Sequence, residues 1–163
     1  MMKAKLTGAR VLHMQLMGGQ ARVLFMETTD MVQKCADIHN ATPVCTAALG
    51  RLMTGTAMLG VMMKGDDDSV TVTIKGGGPM GTLVEVANPG AVKACADNPQ
   101  VEMPLRDDGK LNVGGAVGHD GRMSVVKDLG RASPTLASAN WSAASWLLTS
   151  PTTSPYPSSS PPW

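Results

Sequence analysis

At 163 residues the chain has the length of a single domain, with enough sequence to bury a modest core. Its net charge of +1, spread over interspersed acidic and basic residues, builds no field that would attract nucleic acid or an anionic membrane, so neither is expected as a partner. The opening MMKAKLTGAR is basic, but the VLHMQLMGG after it is too short and too interrupted for a secretory or membrane-spanning segment, and a cytoplasmic location is expected.

Two apolar runs, Arg10 to Met17 and Gln20 to Glu27, flank Gly18-Gly19, a dipeptide suited to the positive φ angles of a two-residue turn. They predict a β-hairpin. Next, Thr29 or Asp30 can cap a first helical turn, and Met31, Val32, Cys35 and Ile38 recur at helical spacing. Thr42-Pro43 then starts a longer helix, expected to run to about Lys64, because proline at the first position loses no hydrogen bond. Its apolar residues wrap much of the circumference, which marks the spine of the core. Gly50, Gly55 and Gly60 cost helix propensity and are explained by close packing of neighbours against the backbone.

Beyond Gly65 the period changes to two. Val70, Val72 and Ile74 alternate with Thr71, Thr73 and Lys75, and turns at GGGPMG and NPG lead to strands over 82–87 and 91–96. A last strand is expected over 122–127. Strands that cluster after the helices give an α+β class: an antiparallel β-meander packed on two helices.

The chemistry-bearing residues form no recognisable site. KGGGPMG matches neither a phosphate-binding loop nor a dinucleotide fingerprint, and its glycines join strand to strand. His13, His39 and His119 are far apart, and no serine or cysteine stands in a nucleophile-elbow context, so no catalytic residue is assigned and no enzyme is expected. Asp66 to Asp68 lack the alternating oxygen ligands of a calcium loop and are read as a solvated turn. Cys35, Cys45 and Cys95 are odd in number and widely spaced, which argues against zinc and disulfides and for buried, inert thiols. Thirteen methionines, four of them on the long helix, fit core filling better than a surface for varied clients.

The string from ATPVCTAALGRLMTGTAMLG through KGDDDSVTVTIKGGGPMGTLVEVANPG to GRMSVVKDLG resembles the heat-shock protein 33 family, and the likeness runs from about Arg10 to Gly130. The resemblance implies the amino-terminal domain of that fold, here incomplete. It also implies an ATP-independent holdase chaperone that binds unfolding or oxidatively damaged proteins. In that family a carboxy-terminal zinc domain with CxC and CxxC cysteines is the redox switch. No such cysteines occur here, so no cofactor is expected in this chain, and no redox role passes to Cys35, Cys45 or Cys95.

Residues 1–130 are therefore read as the chaperone core. Residues 131–163 are read as a low-complexity, disordered tail, since no charge occurs from Ala132 onward. Read one base early, Ser133 to Trp163 can encode an uninterrupted charged and aromatic string resembling what the family places after KDLG, which suggests a frameshift at about Gly130 or Arg131. Stripped of covering elements, Val70, Val72, Ile74, Leu83, Val84 and Val86 are the expected apolar client-binding patch. The expected partners are aggregation-prone proteins and a second copy of the chain. The alternative is an inactive, truncated fragment.

Overall fold

The computed structural model describes residues 9–130 and 134–140. The expected tail beyond Asn140, with its three tryptophans, lies outside the described residues. Strands β1 (Arg10–Leu16) and β2 (Ala21–Glu27) form the predicted hairpin. Its turn is longer than expected, because Leu16 pairs with Ala21 and leaves four residues between the strands. Met17, Gly18 and Gly19 all take positive φ, at 53°, 66° and 94°. The two glycines make that run of left-handed backbone affordable.

Helix α1 (Thr29–His39) has its N-cap at Thr28, one residue earlier than the expected Thr29 or Asp30, and the Glu27 carboxylate accepts from the Thr29 amide at 2.9 Å. It stops at Asn40, whose φ of 47° is the left-handed terminator that asparagine tolerates. Helix α2 (Pro43–Val61) begins at the predicted proline and ends before the expected Lys64. Beyond it, the Asp68 carboxylate gathers the Gly65 and Lys64 amides at 2.8 and 3.3 Å, so the acidic run closes a turn. Thr42 does not cap α2 through its side chain; its hydroxyl donates to the Val101 carbonyl at 2.6 Å and its amide to Pro99 at 3.0 Å. The helix start is thereby tied to the loop that follows β5.

Five antiparallel strands form the main sheet in the order β5-β4-β3-β6-β7, comprising β3 (Ser69–Lys75), β4 (Thr82–Asn88), β5 (Ala91–Ala96), β6 (Arg122–Asp128) and β7 (Thr135–Asn140). The first three are the expected meander. Strand β6 then returns to pair with β3 instead of extending past β5. A five-residue helix, α3 (Val113–Val117), precedes it, with the Asn112 side chain accepting from the Gly115 amide. Helix α2 lies across β3, β4 and β5, and Leu49, Leu52 and Met53 meet Val70, Ile74, Leu83 and Val113 in one buried cluster. By length and composition α2 could cross a membrane; here it is the central helix over the sheet.

Close packing does account for two of the glycines in α2. A Cβ on Gly50 would lie 2.8 Å from a Val32 methyl of α1, and one on Gly60 would lie 2.8 Å from the Ala87 Cβ and 3.0 Å from the Asn88 carbonyl oxygen of β4. The GGGPMG loop is equally constrained. Its Gly78 and Met80 amides donate to the Val117 and Ala116 carbonyls at 3.0 Å each, and side chains at Gly76, Gly78, Gly118 or Gly121 would strike the opposing backbone. These glycines let two loops lie backbone to backbone.

The expectation of a disordered segment from residue 131 onward is corrected for Thr135–Asn140, which pair along β6 from Lys127↔Thr135 to Arg122↔Asn140. Pairing needs only backbone groups, and β6 offers a free edge. The residues from Pro134 to Ser138 are nonetheless exposed.

Candidate functional site

The six residues expected to form one apolar patch are divided by the pleat of the sheet. Val70, Val72, Ile74 and Leu83 point at α2 and are buried, so they cannot present a surface in this state. Val84 and Val86 point the other way and are half-buried. The cause is register: Ile74 faces Leu83 across the β3–β4 pair, Thr73 faces Val84, and Thr71 faces Val86. The expected patch is corrected accordingly, and only Val84 and Val86 belong to the face turned away from α2.

That outer face has more members. Thr71 pairs with Val126 and Thr73 with Ser124 of β6, while Val126 in turn pairs with Leu136 of β7, which is 66% exposed. A shallow depression of about 270 Å³ is lined by Thr73, Ser124, Leu136 and Ser138, with Lys75 and Arg122 beside them. Apolar centres surrounded by threonine, serine and two cations form an amphipathic strip at the β7 edge. The backbone groups on the outer side of such an edge can pair with another extended chain.

A second uncovered surface lies on the hairpin. Its Val11 and Met26 pack against the core, whereas the opposite face carries Leu12, Met14, Leu16, Val23 and Phe25. Leu12, Leu16 and Phe25 are each about half exposed, at 50%, 48% and 56%. A third feature, a groove of about 930 Å³ between α1 and α2, is walled by small residues such as Ala36, Ala47 and Gly50 and by Arg51.

The three histidines stay apart: His13 is on the hairpin, His119 lies in the loop before β6, and His39 ends α1 with its Nε2 2.9 Å from the Ala94 carbonyl oxygen. Among the described residues no three His, Cys, Asp or Glu side chains are placed to hold a metal. Cys35 and Cys45 are buried, as expected, and burial pushes the Cys45 thiol up to about 11 and raises that of Cys35. Cys95 departs from the expectation. It is exposed, because pairing with Val84 turns it to the outer face of the sheet.

Glu85 escaped the sequence reading. It sits in β4 between Leu83 and Ala87, on the face under α2, with Val72 and Ala94 as its cross-strand neighbours, and it is completely buried. Neither carboxylate oxygen has a hydrogen-bond partner among the described residues. Burial raises its pKa to about 9, and the Thr56 hydroxyl of α2 beside it offsets part of the rise without reaching hydrogen-bonding geometry. The signal was available in LVEVA: an acid in step with Leu83 and Ala87 falls on the apolar side of the alternation.

Comparison with known proteins gives a consistent result. The family model described as Hsp33 protein matches residues 10–139. A 33 kDa chaperonin of Alkaliphilus metalliredigens (strain QYMF) is 42% identical over 132 residues, covering 80% of this chain and 45% of that protein. The 33 kDa chaperonin of Bacillus subtilis (strain 168) is 51% identical over 113 residues, covering 69% and 38%. The crystal structure of the 33 kDa chaperonin from Thermotoga maritima superposes with a TM-score of 0.75 at 27% identity, over 80% of this chain and 44% of that one. The chain thus spans less than half the length of these relatives.

Proposed function

Because the chain belongs to the Hsp33 family, we propose that it is a chaperone domain that holds unfolding polypeptides on the outer face of its five-stranded sheet, without nucleotide or chemistry. The observation that carries this reading is the strip of Val84, Val86, Val126 and Leu136, which ends at β7, the edge strand of the sheet among the described residues. Apolar side chains at alternate positions would supply affinity, and backbone pairing along β7 would make it independent of client sequence. Thr71, Thr73 and Ser124 keep the strip wettable, so that weak binding remains reversible. Aggregation-prone polypeptides and a second copy of the chain are the proposed partners, and the cytoplasm is the proposed location.

In the same reading, holding by this stretch is independent of zinc and of thiol oxidation. Its cysteines are two buried thiols and one isolated thiol. The test is light scattering from a thermally unfolding enzyme, with and without ATP, for the chain and for Val84→Lys and Val86→Lys. We expect suppression of scattering that ATP, chelator and peroxide leave unchanged and that each lysine weakens at least threefold while circular dichroism stays native. Equal suppression by the lysine variants would move the site elsewhere, and a folded chain that suppresses nothing would defeat the reading.

The charge-free run from Ala132 to Trp163 favours a second reading, in which this chain is the inactive product of a shifted frame. The encoding DNA tests it: an offset frame that stays open beyond the codon for Trp163 supports the shift, and early stops remove it.

A further inference from the structure

The buried acid under α2 stands outside the proposed client surface. An unpaired carboxyl in an apolar interior is tolerated in its neutral form and is strongly disfavoured once ionised. Glu85 lies where that cost has a mechanical outlet. Across from it is Thr56, and two residues along β4 is Ala87, against which Gly60 of α2 packs at closest approach. Helix and sheet meet here with almost no intervening side-chain volume.

We propose that Glu85 is a proton-operated release between the second half of α2 and the sheet: protonated, it lies silent in the interface, and on ionisation it drives Thr56 to Val61 off β4 and uncovers Val70, Val72, Ile74 and Leu83. This goes beyond the holding surface on the outer face, because it concerns the covered face and does not require clients.

The groups around Glu85 leave the charge unanswered. On α2 the facing residue is Thr56, which is not ionisable in this range. On α1 it is Cys35, a buried thiol that an ionised Glu85 pushes still higher. His39, at the end of the same helix, is engaged with the Ala94 carbonyl. Val72 of β3 and Ala94 of β5 are its neighbours in the sheet. Among the described residues none of these places a donor within hydrogen-bonding distance of the carboxylate.

The sign follows from linkage. In the unfolded chain glutamate ionises near its ordinary pKa, whereas in the folded chain it keeps its proton to about 9. The stability is therefore complete below the unfolded value and is lost as pH rises toward and through the folded one. Between these limits unfolding releases one proton, so the unfolding equilibrium constant rises roughly tenfold per pH unit on account of this residue.

The experiment uses the 163-residue chain, its E85Q variant and its E85L variant, in urea titrations from pH 5.5 to 9.5. Cysteines, histidines and surface acids are common to all three, so differences belong to Glu85. Relative to both variants, we expect the wild-type unfolding constant to rise by up to roughly tenfold per pH unit above pH 6 and to level off as pH passes the folded value. Over the same range the wild type alone should gain binding of an apolar fluorescent dye and accelerate amide exchange at Val70, Val72 and Ile74 below the midpoint of global unfolding. Parallel pH profiles for wild type and both variants would overturn the assignment of the charge. A Glu85-dependent profile in which those amides exchange only through global unfolding would overturn the release.

Discussion

Gly60→Ala tests whether α2 is set on the sheet by contact with its backbone. In a solvent-exposed helix this change would stabilise by about 1 kcal/mol through helix propensity. Here the new methyl would arrive 2.8 Å from the Ala87 Cβ and 3.0 Å from the Asn88 carbonyl oxygen. Carbon atoms in contact prefer about 3.5–4.0 Å, so α2 or β4 must move by roughly 1 Å. Overpacking of this size costs about 1–3 kcal/mol, which cancels or overtakes the propensity gain and leaves a net loss of up to about 2 kcal/mol. The assay is urea unfolding at constant slope, with Ala87→Gly and the double variant completing a cycle. Removing the Ala87 methyl takes away the nearer obstacle, so the double variant should be more stable than the sum of the single changes by about 1 kcal/mol. A Gly60→Ala protein stabilised by about 1 kcal/mol, with no coupling to position 87, would refute the close-contact account. Gly50→Ala provides the contrast, since the atoms nearest its new methyl belong to the Val32 side chain rather than to backbone.

Two further outcomes follow from the cysteines and from Asp97. A thiol reagent at pH 8 should label Cys95 rapidly and Cys35 and Cys45 only on the timescale of opening, because the latter two are buried with raised pKa values. Peptide mapping after a short pulse checks this, and equal labelling of all three would contradict it. Asp97 accepts from the Thr82 amide at 2.7 Å, and that bond lowers its pKa. Its contribution is therefore present above the ordinary aspartate range and disappears as pH falls through the folded value. Asp97→Ala should lower the urea midpoint at pH 7 by more than it does in acid below the ordinary aspartate range; a loss equal under both conditions would place the effect outside the carboxylate.

The sequence made the hairpin, α2 and the β3-β4-β5 meander legible for local reasons. Glycines and Pro43 punctuate them, and the period shifts visibly at Gly65. What was not legible depended on partners distant in the chain. Val70, Val72 and Ile74 show an apolar face, but nothing local says that α2 covers it while Val84 and Val86 face away. Helix α3 has two glycines in five residues, so propensity argues against it, and it exists because Val113, Ala116 and Val117 are buried. Strand β7, from a stretch rich in alanine and serine, owes its place to the free edge of β6. The exposure of Cys95 and the burial of Glu85 are both matters of register, which the strand alternation does contain once one face is known to be covered.

The two interlocked glycine loops constrain the order in which the chain can assemble. Gly76 and Gly78 touch the backbone at Val117 and Gly118, and a Cβ on Gly121 would strike Lys75. Strand β6 begins at Arg122, directly after this lock, and pairs Arg122 with Lys75, the last residue of β3. Docking of the two loops therefore sets the register of the β3–β6 ladder at its first rung. The β3-β4-β5 meander can form from neighbouring segments, whereas β6 must wait for a closure over a long stretch of chain, a non-local step of the kind that slows folding. Strand β7 can be added only after it. The part of the outer face that carries Val126 and Leu136 is thus the last to be completed, and a chain stalled at the glycine lock would carry Val84 and Val86 without the other half of the strip.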